Sequence, residues 1–217
     1  HSRDPERKNP TEHEYFHPNP LLRFYYRHRF ALDTLLLGGT GLIFTNIIDG
    51  FRFGHRTKSI RRALYFDLTA IVTTHTLITL ALIPHGLVGQ FYLLFFIWER
   101  ITGGILQFRA HIEHDSLEPS GQNYYEIQMS ASRNIMTSEI VSRYFNRLTF
   151  HSMHHAFPKI PFYNLAEAHR RIKELTRSHL PEQPGYLAAT LYALKHKNYY
   201  IIREDDKIES VEWLDSA

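Results

Sequence analysis

The 217 residues carry 43% hydrophobic and 22% charged side chains, a balance that suits one domain or a membrane core with one appendage. The net charge of +3 comes from Lys and Arg interleaved with Asp and Glu, and the lack of a single-sign block argues against nucleic acid as a partner. The absence of cysteine excludes disulfides and thiolate metal sites, so any metal must rest on nitrogen and oxygen ligands; 15 histidines supply the nitrogen.

In chain order, residues 1–20 are polar and punctuated by Pro5, Pro10, Pro18 and Pro20, which predicts a surface loop. The start at His1-Ser2-Arg3, without Met or a signal peptide, reads as a fragment or a processed chain. Residues 21–62 begin with an aromatic and basic stretch, Leu21 to Phe30, suited to a helix at a membrane interface. An apolar run over 31–48 follows, broken by Gly38, Gly39 and Gly41, and predicts a re-entrant or interfacial helix pair before a basic loop at 51–62.

Residues 63–108 hold two apolar runs, Ala63 to Ile83 and Leu87 to Phe108, separated by Pro84-His85-Gly86. Each is long enough to cross roughly 30 Å of hydrocarbon as a helix, which predicts a transmembrane hairpin. Arg61 and Arg62 before the hairpin and Arg109 after it place both ends on the cytoplasmic side by the positive-inside rule. Asp67, His75, Glu99 and Arg100 inside the runs must then face protein or mark function. A buried helical pair of a soluble protein is the competing interpretation.

Residues 109–217 turn polar and predict a cytoplasmic helical region, with helices at 123–147, 163–178 and 186–196. The tail, Tyr199 to Leu214, alternates apolar residues with acids and predicts a short strand or an extended arm. The fold class is therefore all-α and integral to the membrane: a helical hairpin, interfacial helices and a cytoplasmic cap.

Two histidine clusters fall in that cap, Arg109-Ala-His111-Ile-Glu113-His114-Asp115 and His151-Ser-Met-His154-His155. Positions i, i+3 and i+4 share one helical face, so His151, His154 and His155 are able to point at one place. Converging neutral imidazoles without thiolates suit zinc, copper or iron. Glu113 and Asp115 are suited to accept the second ring N–H of a ligating histidine. A triplet of this spacing also occurs without any metal, and His111 taken alone reads more readily as a structural residue.

Asn146 through Leu165, with His151-x-x-His154-His155 followed by Pro158 and Pro161, resembles the third histidine box of the membrane fatty acid desaturases and their hydroxylase relatives. Trp98 through Glu113-His114 resembles the last span of that family and its Arg-x-x-x-Glu-His element. Arg133 is similar to the arginine that opens the helix before box three, and His169 falls where members often carry a histidine. Asp4-Pro5-Glu6 resembles the sequence that follows the second box, which puts two of the three boxes upstream of His1 and makes His1 a neighbour of the metal more than a ligand.

The resemblance implies a centre of two iron ions with His114, His151, His154 and His155 as ligands in this chain. His111, Glu113, Asn146 and His169 are further candidates, as ligands or as their hydrogen-bonding neighbours. It further implies an acyl lipid as substrate, O2 as oxidant, an electron donor such as a ferredoxin or cytochrome b5, and a lipid membrane as setting. The basic stretch His169, Arg170, Arg171, Lys173 and Arg177 is a candidate docking face for an acidic donor or anionic headgroups, and equally a solvated basic face. A hydroxylase or ketolase on the same scaffold, a zinc-dependent membrane hydrolase using Glu113 as base, and an inactive relative remain open alternatives.

Overall fold

Proline at position 84 and glycine at 86 close the central helical turn as the sequence predicts. The computed structural model describes residues 19–53, 57–115, 117, 120–176, 180–195, 198–202 and 208–212. The Asp4-Pro5-Glu6 element, His1, Arg56, Arg177, His179 and His196 lie outside the described residues. By internal contacts the chain divides into one unit of residues 28–108 and another made of 1–27 and 109–217.

In the first unit, helix α1 (Pro20–Ala31, entered from the other unit) passes through a π-helical segment, Leu32–Leu37, into α2 (Gly38–Phe53). This differs from the expected broken interfacial pair. The glycines do not end the helix, because Gly38 at φ 51° absorbs the change of winding at the end of the π segment. Gly103 has a packing reason: a Cβ there would collide with the backbone of Gly39. Arg100 donates to the carbonyl of Leu36, to Thr40 Oγ1 and to Glu99, and Gln107 Nε2 donates to the Gly38 carbonyl at 3.2 Å. The charged residues of the apolar run thus satisfy one another and the loosened backbone.

Helix α3 (Lys58–Leu82) is capped by Thr57, whose Oγ1 accepts from Ile60 N at 3.3 Å. A 3-10 turn, Ile83–His85, and left-handed Gly86 (φ 64°) reverse the chain into α4 (Val88–His114). The reversal is held by Gly86 N donating to Ile83 O and Leu87 N to Leu82 O. Between α3 and α4, Tyr92 OH meets Thr79 Oγ1 at 2.8 Å and His75 Nδ1 at 3.3 Å, which explains His75 as a helix-pairing residue.

Among the described residues, two stretches are long and apolar enough to cross a membrane, Pro20–Phe51 and Lys58–His85, and none of the most apolar window of the second is buried. The expected hairpin partner at 87–108 forms its helix, but Glu99 and Arg100 interrupt its apolar run. Phe66, Val72, Leu77, Leu93, Leu94 and Trp98 are all exposed, apolar surface of the kind that packs against a membrane or another protein.

The second unit contains the last residues of α4, from Arg109 on, and then α5 (Tyr124–Ser130), strand β1 (Asn134–Ile135), α6 (Glu139–Tyr144), α7 (His151–Ala156), α8 (Leu165–Thr176), strand β2 (Glu182–Gln183) and α9 (Tyr186–Lys195). Its core joins Met129, Met153, Ala156, Leu165 and Leu180. The all-α expectation is corrected at two places. β1 pairs in parallel with β2, Asn134 opposite Glu182, and β3 (Asn198–Ile202) pairs antiparallel with β4 (Ile208–Glu212).

The single helix expected over 123–147 is broken by this pairing, since Asn134 N donates to Pro181 O at 2.8 Å and Ile135 N to Thr149 O at 2.8 Å. Arg133 does not open a helix. It is fully buried, lies over the Tyr192 ring, and donates to the carbonyls of Ile112 and Asp115 at the end of α4. A cation there satisfies carbonyls that the helix leaves without partners. Arg133→Ala is expected to lower stability by roughly 3 kcal/mol, from two charge-assisted bonds and the packing lost with them, read as a fall in the thermal unfolding temperature of the detergent-solubilised protein.

Candidate metal centre

The site begins at the end of α4, where Glu113 and His114 are both 1% exposed. Helix α7 brings His151 and His155 to the same place by their i, i+4 spacing. His151 Nε2 lies 2.8 Å from His114 Nε2 and 3.1 Å from His155 Nε2. The ligand atoms of these three residues all lie within 4.8 Å of one another. Two nitrogens each about 2.0–2.1 Å from a common ion stand roughly 3.0–3.4 Å apart. The two pairs through His151 are within a few tenths of an ångström of that spacing and the third closes within 4.8 Å, so the donor set and its convergence fit a metal ion.

His154 stands beside the trio, not within it: its ring centroid is 5.9 Å from those of both His151 and His155. It is half-buried, as His155 is, whereas His114 and His151 are buried.

Helix α7 is held by a residue remote in sequence. The buried Asn134 accepts through Oδ1 from Ser152 N at 3.1 Å and from Ser152 Oγ at 2.9 Å. Ser142 and Thr149 join hydroxyls at 2.9 Å on the approach to α7.

Behind the imidazoles sits a buried carboxylate. Arg109 Nε and Nη2 each donate to Glu113 at 2.9 Å, one to each oxygen, and the guanidinium stacks on the Phe145 ring. Tyr186 OH donates to Glu113 Oε1 at 3.1 Å, and His151 Nδ1 lies 3.4 Å from Glu113 Oε2. Burial and the Glu113 carboxylate together raise the Tyr186 pKa well above its ordinary value, so the phenol stays a donor.

A family model of fatty acid desaturases matches residues 1–185. The chain belongs to the fatty acid desaturase family. No curated protein and no solved structure gives a significant match. Membership gives this desaturase-family chain an oxidoreductase setting, and its histidine cluster is one that could hold a metal.

The remaining candidates of this desaturase relative take other places. His111 is buried and pairs Nδ1 with Asp115 Oδ2 at 2.8 Å, one turn along its own helix. His169 Nε2 meets Glu182 Oε1 at 3.0 Å, and its ring lies against Phe150. Burial pulls the His169 pKa below its ordinary value against the opposing pull of Glu182. The basic face of α8 is paired with acids of its own and of β2: Arg170 with Glu167 and Glu174, Arg171 with Glu167, and Lys173 with Glu182.

Asn146 is exposed and adopts φ 50°, next to Arg147 at φ 56°. Its conformation explains the residue, since asparagine tolerates the left-handed region better than most side chains. Asn146→Gly is expected to leave stability within about 0.5 kcal/mol of the parent and metal content unchanged. A loss of metal, measured by elemental analysis, would restore it as a ligand or ligand neighbour.

Sequence reasoning reached His114, His151, His155 and Glu113. The pairing of Arg109 with Glu113 was signalled by their i, i+4 spacing on one helix. Asn134 and Tyr186 gave no local sign, because their partners lie 18 and 73 positions away.

Proposed function

We propose that this chain carries part of the metal centre of an integral-membrane, O2-dependent oxidoreductase that desaturates the acyl chain of a lipid. The observation that carries the reading is the convergence of three imidazole Nε2 atoms from α4 and α7 in a chain whose family acts as oxidoreductases. Iron is the metal proposed, as a pair of ions, with His114, His151 and His155 as ligands and His154 on the second ion or at the rim. Two ions need more imidazoles than this cluster holds, so the proposal requires further histidines from outside it.

When bound, the irons supply the O2 chemistry that takes two hydrogens from adjacent carbons, with two electrons from a donor and two protons completing the reduction of O2 to water. The protein's part is geometric and electrostatic. His151 would keep its proton on Nδ1, facing Glu113, which leaves the Nε2 lone pair for the metal. Arg109 neutralises Glu113, so the carboxylate sits in the interior without an uncompensated charge. The setting proposed is the membrane, with the histidines at its cytoplasmic side beyond Arg109, and the electron donor is a ferredoxin or a cytochrome b5.

A zinc hydrolase is disfavoured by Glu113 itself. A general base must reach a water molecule, and this carboxylate is enclosed and occupied by Arg109 and Tyr186. The test is metal analysis of the full-length protein together with mass spectrometry of lipids after incubation with O2 and a reducing partner. Iron in the protein and a product lighter by two hydrogens are expected. Stoichiometric zinc with a hydrolysed lipid would overturn the reading, and an oxygenated product would move it to a hydroxylase.

A further inference from the structure

The Glu113 carboxylate receives one donor that neither its own helix nor the histidine box supplies. Arg109, four residues back, reaches both oxygens from the same helix. Tyr186 reaches Oε1 from α9 at 3.1 Å, on the oxygen opposite the one that lies 3.4 Å from His151 Nδ1. The Tyr186 ring rests against Phe145, whose ring also carries the Arg109 guanidinium, so phenol, arginine and carboxylate share one packed support. Tyr186 lies one position beyond the residues matched by the family model, and no motif named above includes it.

We propose that Tyr186 is a positioning residue of the metal centre: its hydroxyl fixes the plane of the Glu113 carboxylate, and through it the orientation of the His151 imidazole. A carboxylate accepts along directions near its own plane. With Oε1 tied by the phenol and both oxygens by the guanidinium, Oε2 is held 3.4 Å from His151 Nδ1, a charge–dipole contact and not a hydrogen bond, which still favours one orientation of the ring. The imidazole then holds Nε2 between His114 and His155, at 2.8 and 3.1 Å. Partners of this outer layer ordinarily change metal affinity by 10–100-fold. A phenol acting through a carboxylate that keeps its arginine belongs at the lower end of that range.

The inference rests on the metal-centre reading above, and its test separates the two. Co2+ is titrated into the full-length protein, stripped of metal in detergent, against a competing chelator, and its visible ligand-field bands are recorded. Tyr186→Phe keeps the ring on Phe145 and removes only the hydroxyl. Affinity is expected to fall on the order of tenfold, with shifted bands. Wild-type affinity and bands in Tyr186→Phe overturn the inference while leaving the metal centre standing. A wild-type protein that binds no Co2+ overturns both.

Phe145→Leu serves as the control for folding, because it loosens the same packing and keeps the hydroxyl. If Tyr186→Phe loses more affinity than Phe145→Leu at equal thermal stability, the hydroxyl is the cause. If the two losses track the fall in unfolding temperature alike, the role is packing and the inference fails.

Discussion

His151→Ala in the full-length protein is expected to remove bound iron and to lower O2-dependent product formation by more than about 100-fold, beyond the 10–100-fold that outer-layer partners produce. His151 is the middle member of the trio, since its Nε2 is the atom within 2.8 Å of His114 and 3.1 Å of His155. It is also the ring that faces Glu113, so its loss cuts the ligand set and its support together. Membrane insertion should persist, because the apolar helices α1–α3 are distant in sequence from α7.

The same measurement on His154→Ala tells how many ions the cluster serves. With its ring 5.9 Å from both neighbours, His154 stands outside the converging group of His114, His151 and His155. A loss clearly smaller than that of His151→Ala means one ion at the trio with His154 at the rim. An equal loss means that His154 belongs to a second ion. Iron and activity unaffected in His151→Ala would remove the ligand assignment altogether.

Arg109→Met is expected to destabilise the unit of the histidine cluster by about 3–5 kcal/mol, the usual consequence of leaving a buried charge without its partner. Glu113 is 1% exposed and would keep the phenol of Tyr186 as a donor, besides its approach to His151. Methionine preserves much of the arginine volume, so the loss is electrostatic more than steric. The double variant Arg109→Met with Glu113→Gln should recover most of the stability, because neither charge remains, but not the metal affinity. Thermal unfolding and Co2+ titration of the three proteins check this. If the double variant is as unstable as the single one, packing of the guanidinium on Phe145, not the charge pair, carries the contribution.

The sequence by itself determined the local features. Spacing of i, i+3 and i+4 set out a histidine face on α7, Pro84-His85-Gly86 fixed the turn between α3 and α4, and the apolar runs located the long helices, though α3 starts at Lys58 inside the basic loop expected at 51–62. The family was legible as well, in His151-x-x-His154-His155 and in Glu113-His114. These signals survive in one dimension because helical periodicity and turn stereochemistry are properties of a few neighbouring residues.

What only the tertiary structure decided depends on residues far apart in the chain. The glycines at 38, 39 and 41 looked like breaks, yet a π turn and the donors of Arg100 and Gln107 carry the helix through them. The helix expected over 123–147 gave way to β1 because Pro181 and Thr149 offered its backbone better partners. Asn146 is a candidate neighbour of the metal by its place before α7, and only the structure shows that its backbone is in the left-handed region. His154 has the spacing of a ligand, and only the structure shows that the imidazoles converging between α4 and α7 are His114, His151 and His155. Tyr186 and Asn134 carried no pattern at all. Their roles come from burial, which obliges each polar atom to find a partner wherever the fold places one.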